Sequence, residues 1–310
     1  MLITNIYSIL RSNQGSTIKV FWQDIEERLI KNIIKGFKEV TFIKTNFSFR
    51  SDPIKRISSK TLFWNYAAQT YPHDNICFLD ADTLIIKNIS DFFDKDFDII
   101  FTYKDDQFPL NTGVMLCKGN KYPFFFQKWE EDTFRIINDP ESFEKANSPE
   151  YQYGGSDQMS FFELLGYNPN QREYVITINE QKLYFLGLPC EILNEVYSRS
   201  ISKSTHIIHY KGGWQPVILE GRNFTGYRTK SASWQMYMLY LKTFLKSLDF
   251  LNKHANIRFH PKDFNIVIPF YVNKHSFQER VWAYPLYAYL DRLKQRLRNY
   301  KIKMSRLTDF

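Results

Sequence analysis

The sequence predicts an α/β protein, a mixed but mostly parallel sheet flanked by helices, followed by a helical and basic carboxyl-terminal extension. Three observations predict it. Between Ile18 and Leu79, short apolar runs alternate with helical patterns in the order β-α-β-α-β, with helices long enough for right-handed crossovers. The run Ile76–Leu79 reads as a buried strand that ends at two carboxylates, Asp80 and Asp82. Residues 231–310 then carry a leucine stripe among many Lys and Arg. The expected division is therefore a main domain over 1–230 and a mainly helical extension over 231–310.

Composition narrows the class. A chain of 310 residues can bury a sizeable core, and 44% hydrophobic residues argue against wholesale disorder. Aromatics reach 17%, enough both to fill that core and to line a groove for a flat ring. Three cysteines, an odd number set far apart in apolar contexts, read as reduced thiols used as small hydrophobes, which places the chain in the cytoplasm. No apolar run approaches bilayer-spanning length, and no leader pattern opens the chain. A net charge of +8 favours anionic partners.

Taken in order, Met1–Asn13 has Leu2, Ile3, Ile6, Ile9 and Leu10 at helical spacing, and Gln14-Gly15-Ser16 closes it. Ile18–Trp22 reads as a strand. Asp24 is placed to cap a helix running to about Phe37, with Glu27 completing a capping box and Ile25, Leu29, Ile33 and Ile34 as its apolar stripe. Val40–Thr45 is the next strand, and Ile54–Thr70 a helix with Ile57, Thr61, Trp64 and Ala68 on one face. Beyond Ile86, Ile99–Thr102 reads as a strand, and the latter half of Phe108–Cys117 as another, entered by a polar loop at Asn111 and Gly113. Pro123–Phe134 is a helix packed through Phe125, Phe126, Trp129 and Phe134. Asp139–Gln152 is polar, a surface loop with some helix. Gly154-Gly155 allows tight geometry before the helix of Met159, Phe162 and Leu165, which Ser156 or Asp157 could cap. Short strands follow near Tyr174–Ile178 and Tyr184–Leu186, His206–Trp214 is a strand running into a glycine turn, and Trp234–Leu248 is a helix.

Asp80 and Asp82 are the centre of the functional reading. In an extended chain residues two apart point to opposite faces, so both reach one ion only if the chain turns at Ala81. Their oxygens suit Mg²⁺ or Mn²⁺, metals that pair with the phosphates of a nucleotide. Such a pair also describes a strand that simply ends in a polar turn. His209, at a strand end before Lys211, Gly212, Gly213 and Trp214, is either a further ligand or a histidine at the edge of the core. His206 falls on the opposite face and is structural. Asn111 could meet a sugar hydroxyl or hold a turn, Asp157 and Gln158 could serve a ligand or cap, and Lys60 could reach a phosphate or be solvated.

In their order along the chain, Leu79-Asp80-Ala81-Asp82-Thr83-Leu84, Asn111-Thr112-Gly113-Val114-Met115-Leu116, Ser156-Asp157-Gln158 and His209-Tyr210-Lys211-Gly212-Gly213-Trp214 resemble the GT-A fold glycosyltransferases that use nucleotide diphosphate sugars. The resemblance is nearest to the retaining branch with glycogenin and the lipopolysaccharide galactosyl- and glucosyltransferases, and it covers roughly residues 1–220. It implies a Rossmann-like, mostly parallel sheet and Mn²⁺ or Mg²⁺ held by Asp80, Asp82 and His209. It implies catalytic roles for Asp80, Asn111, Asp157 and Gln158, and donor contacts from Lys60, Asp80, Lys211 and Gly212. The implied reaction moves a hexose from a nucleotide diphosphate sugar to a saccharide or glycolipid acceptor, with nucleic acid not among the partners.

The sequence departs from the family pattern in three places. Met1 falls where the helix matching Tyr7-Ser8-Ile9-Leu10-Arg11-Ser12 begins, so the family's first, base-binding strand is either replaced from elsewhere or absent through truncation. After His209 and Gly212, Gln215 stands at the usual lysine and Val217 at the usual tryptophan, leaving Lys211, Arg222 or Arg228 for a phosphate. No residue marks itself as a general base. Two other readings compete: a non-catalytic sugar-binding protein on the same fold, and a sugar nucleotidyltransferase, which would carry a glycine-rich basic loop absent here. Near the end, Leu286, Leu290, Leu293 and Leu297 with the surrounding Lys and Arg form an amphipathic stripe. It fits either a docked helix or peripheral contact with an anionic membrane surface.

Overall fold

The structure is a computed structural model that describes residues 1–23, 25–47, 60–104, 109–148, 154–196, 201–211, 214, 218, 231–255 and 259–260. The chain divides into two compact units, one of Met1–Val196 with Ser202–His209 and one of Tyr197–Ile201 with Tyr210–Phe310. In the first unit the elements run α1 (Leu2–Ser12), β1 (Ile18–Trp22), α2 (Glu27–Gly36), β2 (Val40–Lys44), α3 (Lys60–Thr70), β3 (Ile76–Leu79) and β4 (Thr83–Ile85). After a 3₁₀ turn at Ser90–Asp94 come β5 (Ile99–Tyr103), β6 (Leu110–Cys117), α4 (Tyr122–Asn138), α5 (Pro140–Asn147) and α6 (Ser156–Leu165). The unit closes with β7 (Glu173–Ile178), β8 (Gln181–Pro189), the short α7 (Cys190–Leu193) and β9 (Ile207–His209).

The expectation of a mostly parallel, Rossmann-like sheet is overturned. β1 and β2 are parallel, from Ile18 opposite Val40 to Trp22 opposite Lys44, as a crossover through α2 requires. The main sheet, in the order β3-β6-β5-β8-β7, is mostly antiparallel, and β5 with β8 is its one parallel pair. β4 and β9 form a further antiparallel pair. The reason is connection length. Parallel neighbours need a crossover of about a dozen residues or more, and β5 to β6 and β7 to β8 are hairpins. The latter turns on Asn179 and Glu180, both at positive φ (48° and 65°), the handedness a two-residue hairpin turn needs. The crossover logic holds for β1 and β2 alone: among the described residues β3 pairs with β6, antiparallel, and with neither of them.

Packing corrects smaller expectations. α2 begins at Glu27 after an N-cap at Glu26 with no side-chain cap, so Glu27 opens the helix instead of closing a capping box. Its buried residues are Ile30, Ile33 and Gly36, with Phe37 buried at its C-cap, while Ile25 and Ile34 are exposed. Asp24 and the expected helical start at 54–59 lie outside the described residues. β6 starts at Leu110 and is buried throughout, so Asn111 and Gly113 sit within a strand and not in a loop. Alternation along β6 serves two cores: Met115 and Cys117 join Trp64, Phe78, Phe125, Phe126 and Trp129, whereas Val114 and Leu116 join Ile85, Ile100 and Ile207. Truncating Phe126 or Trp129 would cost about 3–5 kcal/mol.

Helix α1 presents polar residues inward as well. Asn5, Ser8 and Ser12, at helical spacing, bond the β4 backbone: Asn5 Nδ2 donates to the Thr83 carbonyl (3.1 Å), Ser8 Oγ accepts from the Ile85 amide (3.0 Å), and Ser12 Oγ donates to the Ile85 carbonyl (3.2 Å). A strand of three residues is thereby held from both sides, by β9 and by α1.

In the second unit, α8 (Ser231–Ala255) extends the expected helix in both directions. Its Met236 carbonyl accepts from the Tyr210 hydroxyl at 2.8 Å, and Tyr210 packs edge-on against Trp214 and Tyr240. Among the described residues no helix is long and apolar enough to cross a membrane. The leucine stripe at 286–297 lies outside them.

Candidate metal centre

Strand β3 delivers Asp80 at its carboxyl end, where the Asp80 amide donates to the Gly113 carbonyl of β6 at 2.9 Å. The chain then turns as the carboxylate pair demands. The Thr83 amide and hydroxyl both donate to the Asp80 carbonyl, at 3.1 and 2.8 Å, closing a turn through Ala81 and Asp82. Strand β4 leaves that turn paired with β9 so that Thr83 faces His209. His209 Nε2 thus lies 3.0 Å from Asp82 Oδ1 and 3.6 Å from Asp80 Oδ2. One ligand atom from each of Asp80, Asp82 and His209 lies within 4.8 Å of the others, the group among the described residues that could hold a metal ion.

The donor set fits a divalent cation. Two carboxylates supply hard oxygens and the imidazole one nitrogen, a mixture that suits Mn²⁺ better than the all-oxygen preference of Mg²⁺. The histidine is 2% exposed, while the side chains of Asp80 and Asp82 are 26% and 16% exposed, so the centre opens to solvent on its carboxylate side. Gly113 makes room for the ring. A Cβ there would lie 2.3 Å from His209 Cε1 and 3.0 Å from Asp80 Oδ2. The pairing of β6 with β5 also slips between Ile100 and Thr102, beside the stretch Asn111–Gly113 that meets the centre.

A second carboxylate cluster adjoins the first. Asp157, in the first turn of α6, is buried and accepts from the Thr112 hydroxyl at 2.8 Å. Lys60, the first residue of α3, places Nζ 3.1 Å from Asp157 Oδ2, 3.7 Å from Asp80 Oδ2 and 3.3 Å from the Thr112 carbonyl. Burial pulls the Lys60 ammonium down, but the carboxylates of Asp157 and Asp80 outweigh it and hold its pKa above the ordinary lysine value. Neither Ser156 nor Asp157 caps α6: the N-cap is Gly155, at φ 139°, and it follows Gly154 at φ 74°. The Asp157 carbonyl is taken up by Trp129 Nε1 (2.8 Å) and Ser160 Oγ (3.0 Å). Asp157 is thus held by four neighbours.

Around these charges, polar atoms lack partners. Asn111 Oδ1 accepts from the Gly113 amide, leaving Nδ2 buried and unpaired. Gln158 donates to the Gly154 carbonyl through Nε2, and its Oε1 is likewise buried and unpaired, as is Ser156 Oγ. Leaving such groups unbonded costs about 1–3 kcal/mol each, and Asn13 Nδ2, at the end of α1, is another such atom.

The structure brings together Asp80, Asp82 and His209, and places Lys60 and Asp157 at the edge of that cluster. His206 stands apart, with Nδ1 2.7 Å from the Asn88 carbonyl. Lys211 belongs to the second unit. Gly212, and with it Gln215, Arg222 and Arg228, lies outside the described residues. Sequence reasoning passed over Thr112, which clamps Asp157, and Asn194, whose Oδ1 lies 2.9 Å from His209 Nδ1.

No family model and no curated protein matches the chain. Among solved structures it is similar to the apo form of the glycosyltransferase GlyE of Streptococcus pneumoniae TIGR4, at 15% identity and TM-score 0.49 over 81% of this chain and 59% of that one. It is also similar to a glycosyltransferase involved in glycosylation of the major capsid of PBCV-1, at 13% identity and TM-score 0.39 over 64% of this chain and 96% of that one. A third is the apo bifunctional glycosyltransferase WbbM, at 13% identity and TM-score 0.43 over 78% and 49%. The chain spans less than two thirds of GlyE and of WbbM. Likeness at this level says nothing of donor, acceptor or reaction.

Proposed function

We propose that the chain is a metal-dependent glycosyltransferase that moves a hexose from a nucleotide diphosphate sugar to a saccharide or glycolipid acceptor, with the catalytic parts in residues 1–230. The observation that carries the reading is the convergence of Asp80, Asp82 and His209, with Lys60 tying Asp157 to Asp80 beside them. These are the residues at which the sequence resembles the GT-A transferases, drawn from separate strands and a helix.

Asp80, Asp82 and His209 would hold Mn²⁺, and the cation would neutralise charge on the diphosphate as it departs. Lys60 ties Asp157 to Asp80 and fixes both side chains. Asn111 Nδ2 and Gln158 Oε1 offer one donor and one acceptor to sugar hydroxyls. Asp157 is engaged by Lys60 and Thr112, which suits electrostatic support of a positively charged anomeric centre better than proton abstraction. The course that fits is retention by front-face attack. The bond from the anomeric carbon to the phosphate oxygen breaks, the acceptor oxygen bonds the same carbon on the same face, and the acceptor proton passes to the departing phosphate.

The test is a panel of nucleotide sugars and saccharide acceptors read by mass spectrometry, with the best product followed by NMR. Transfer with the donor's anomeric configuration kept is expected. Inversion would reject the stereochemical part, and neither transfer nor donor hydrolysis across the panel would reject the enzyme reading.

A further inference from the structure

The ring of His209 has two nitrogens, and only Nε2 faces the carboxylates. The other, Nδ1, lies 2.9 Å from Asn194 Oδ1 in a site where both residues are closed to solvent, His209 at 2% and Asn194 at 0% exposure. The direction of that bond follows from chemistry. Asn194 Nδ2 lies 2.7 Å from Thr102 Oγ1 and 3.3 Å from the Asn111 carbonyl. A carbonyl oxygen can only accept, so the amide nitrogen must face it, and the amide oxygen must face His209. The Thr102 hydroxyl spends its proton on the same Asn111 carbonyl at 2.8 Å, which leaves its oxygen as an acceptor for Asn194. Every atom of the Asn194 amide is therefore assigned, and its oxygen requires a proton on His209 Nδ1.

The backbone enforces the same arrangement. Asn194 follows the short helix α7, and its neighbour Glu195 is tied to β9 in both directions: the Glu195 amide donates to the Ile207 carbonyl (3.0 Å), and the His209 amide donates to the Glu195 carbonyl (2.8 Å). The ring has little room to turn, because Gly113 lies against its Cε1–Nδ1 edge. Nδ1 is thus committed to protein, and Nε2 is the nitrogen presented to Asp80 and Asp82.

We infer that Asn194 is a positioning residue that fixes the Nδ1–H form of His209, so that Nε2 is the nitrogen offered to a divalent cation, and that its amide couples this ligand to the strand carrying Asn111. The inference rests on the metal reading of the cluster. Outer partners of this kind set ring orientation and ligand basicity. No reading of spacing links Asn194 to His209, since the two lie on different elements and meet only in the fold.

The test uses the full chain with ¹⁵N-labelled histidine and has a readout independent of activity. In the metal-free wild type, ¹⁵N–¹H NMR of His209, assigned by its loss in His209→Ala, is expected to show a proton on Nδ1; a ring carrying its proton on Nε2 alone would overturn the inference. Mn²⁺ affinity is then measured by electron paramagnetic resonance. Asn194→Leu, of similar volume but without polar atoms, is expected to bind Mn²⁺ about 10–100-fold more weakly, the usual loss for an outer partner, while Asn194→Asp, which keeps an oxygen at Nδ1 and whose second oxygen accepts from the Thr102 hydroxyl once that rotates away from the Asn111 carbonyl, recovers most of it. Wild-type affinity in a folded Asn194→Leu, or equal loss in both variants, overturns the positioning role. Should Asn194→Leu fail to fold, the wild-type spectrum and the Asn194→Asp affinity decide. A wild type that takes up no Mn²⁺ while Nδ1 is protonated sinks the metal reading and the positioning role that rests on it, whereas Mn²⁺ uptake without an Nδ1 proton sinks the positioning role alone.

Discussion

Gly113 and His209 are in such close contact that a single added methyl would have to displace the ring. A Cβ on Gly113 would come within 2.3 Å of His209 Cε1 and 2.6 Å of Nδ1. The ring cannot yield freely, because its two nitrogens are engaged by Asn194 and Asp82. Gly113→Ala is therefore expected to lose about 1–3 kcal/mol of stability through overpacking, and to lower Mn²⁺ affinity as Nε2 is pushed out of line. Urea denaturation and Mn²⁺ titration check it. Unchanged metal affinity would mean that the ring accommodates the methyl without moving its ligand atom.

Lys60 is the cation between two carboxylates, and it is placed to hold charges in position instead of waiting for phosphate alone. Lys60→Met should destabilise the fold by a few kcal/mol at most. Removing one partner of a fully buried pair costs about 3–5 kcal/mol, and Lys60 retains 21% exposure, which screens part of that. Adding Asp157→Asn should restore stability without restoring transfer, because the sugar-side charge is then gone. A double variant no more stable than Lys60→Met would show that the pair is not coupled.

Polar residues of α1 shape the carboxylate turn from outside. Asn5 Nδ2 donates to Thr83 Oγ1 at 2.7 Å, and that hydroxyl in turn donates to the Asp80 carbonyl. Asn5→Ala should lose about 1–3 kcal/mol, the cost of leaving buried polar groups unpaired, and should loosen the turn enough to weaken Mn²⁺ binding. Asn5→Ala with wild-type stability by thermal unfolding would contradict the bonding described.

These contacts mark what the sequence could convey. Elements with strong local signatures were legible: the stripe of α1, the apolar run of β3, the aromatic face of α4 and the glycine pair before α6. The carboxylate pair and His209 were legible as types, and their meeting follows once β4 pairs with β9. Strand direction beyond β2 was not, because it depends on which strands become neighbours, and β3 meets β6 instead of β1 or β2, which no periodicity encodes. Asn5, Ser8 and Ser12 were visible at helical spacing, but a reading built on apolar stripes assigns polar residues to solvent. Thr112 and Asn194 had no local signal at all, since their partners are 45 and 15 residues away in sequence.

The cysteines should be inert in the native chain. Cys77, Cys117 and Cys190 are not joined in disulfides, and the last two are buried. Burial pushes the Cys77 thiol up to about 12, and raises that of Cys117 well above the ordinary thiol value. Thiolate, the reactive form, is then scarce at neutral pH. Alkylation at pH 7 is expected to be slow when folded and fast in denaturant; rapid native labelling of Cys77 would contradict its packing against the core.

The most direct measurement of the central claim is calorimetric titration of nucleoside diphosphates into the full chain with and without Mn²⁺, repeated for Asp82→Asn and His209→Ala with their folds confirmed by circular dichroism. Binding is expected to depend on Mn²⁺ in the wild type, and to weaken in each variant by at least the roughly 10–100-fold that loss of an outer partner alone costs. Nucleoside diphosphate affinity that is the same with and without Mn²⁺, or that survives both substitutions unchanged, would contradict the assignment of Asp80, Asp82 and His209 as the metal centre of a glycosyltransferase.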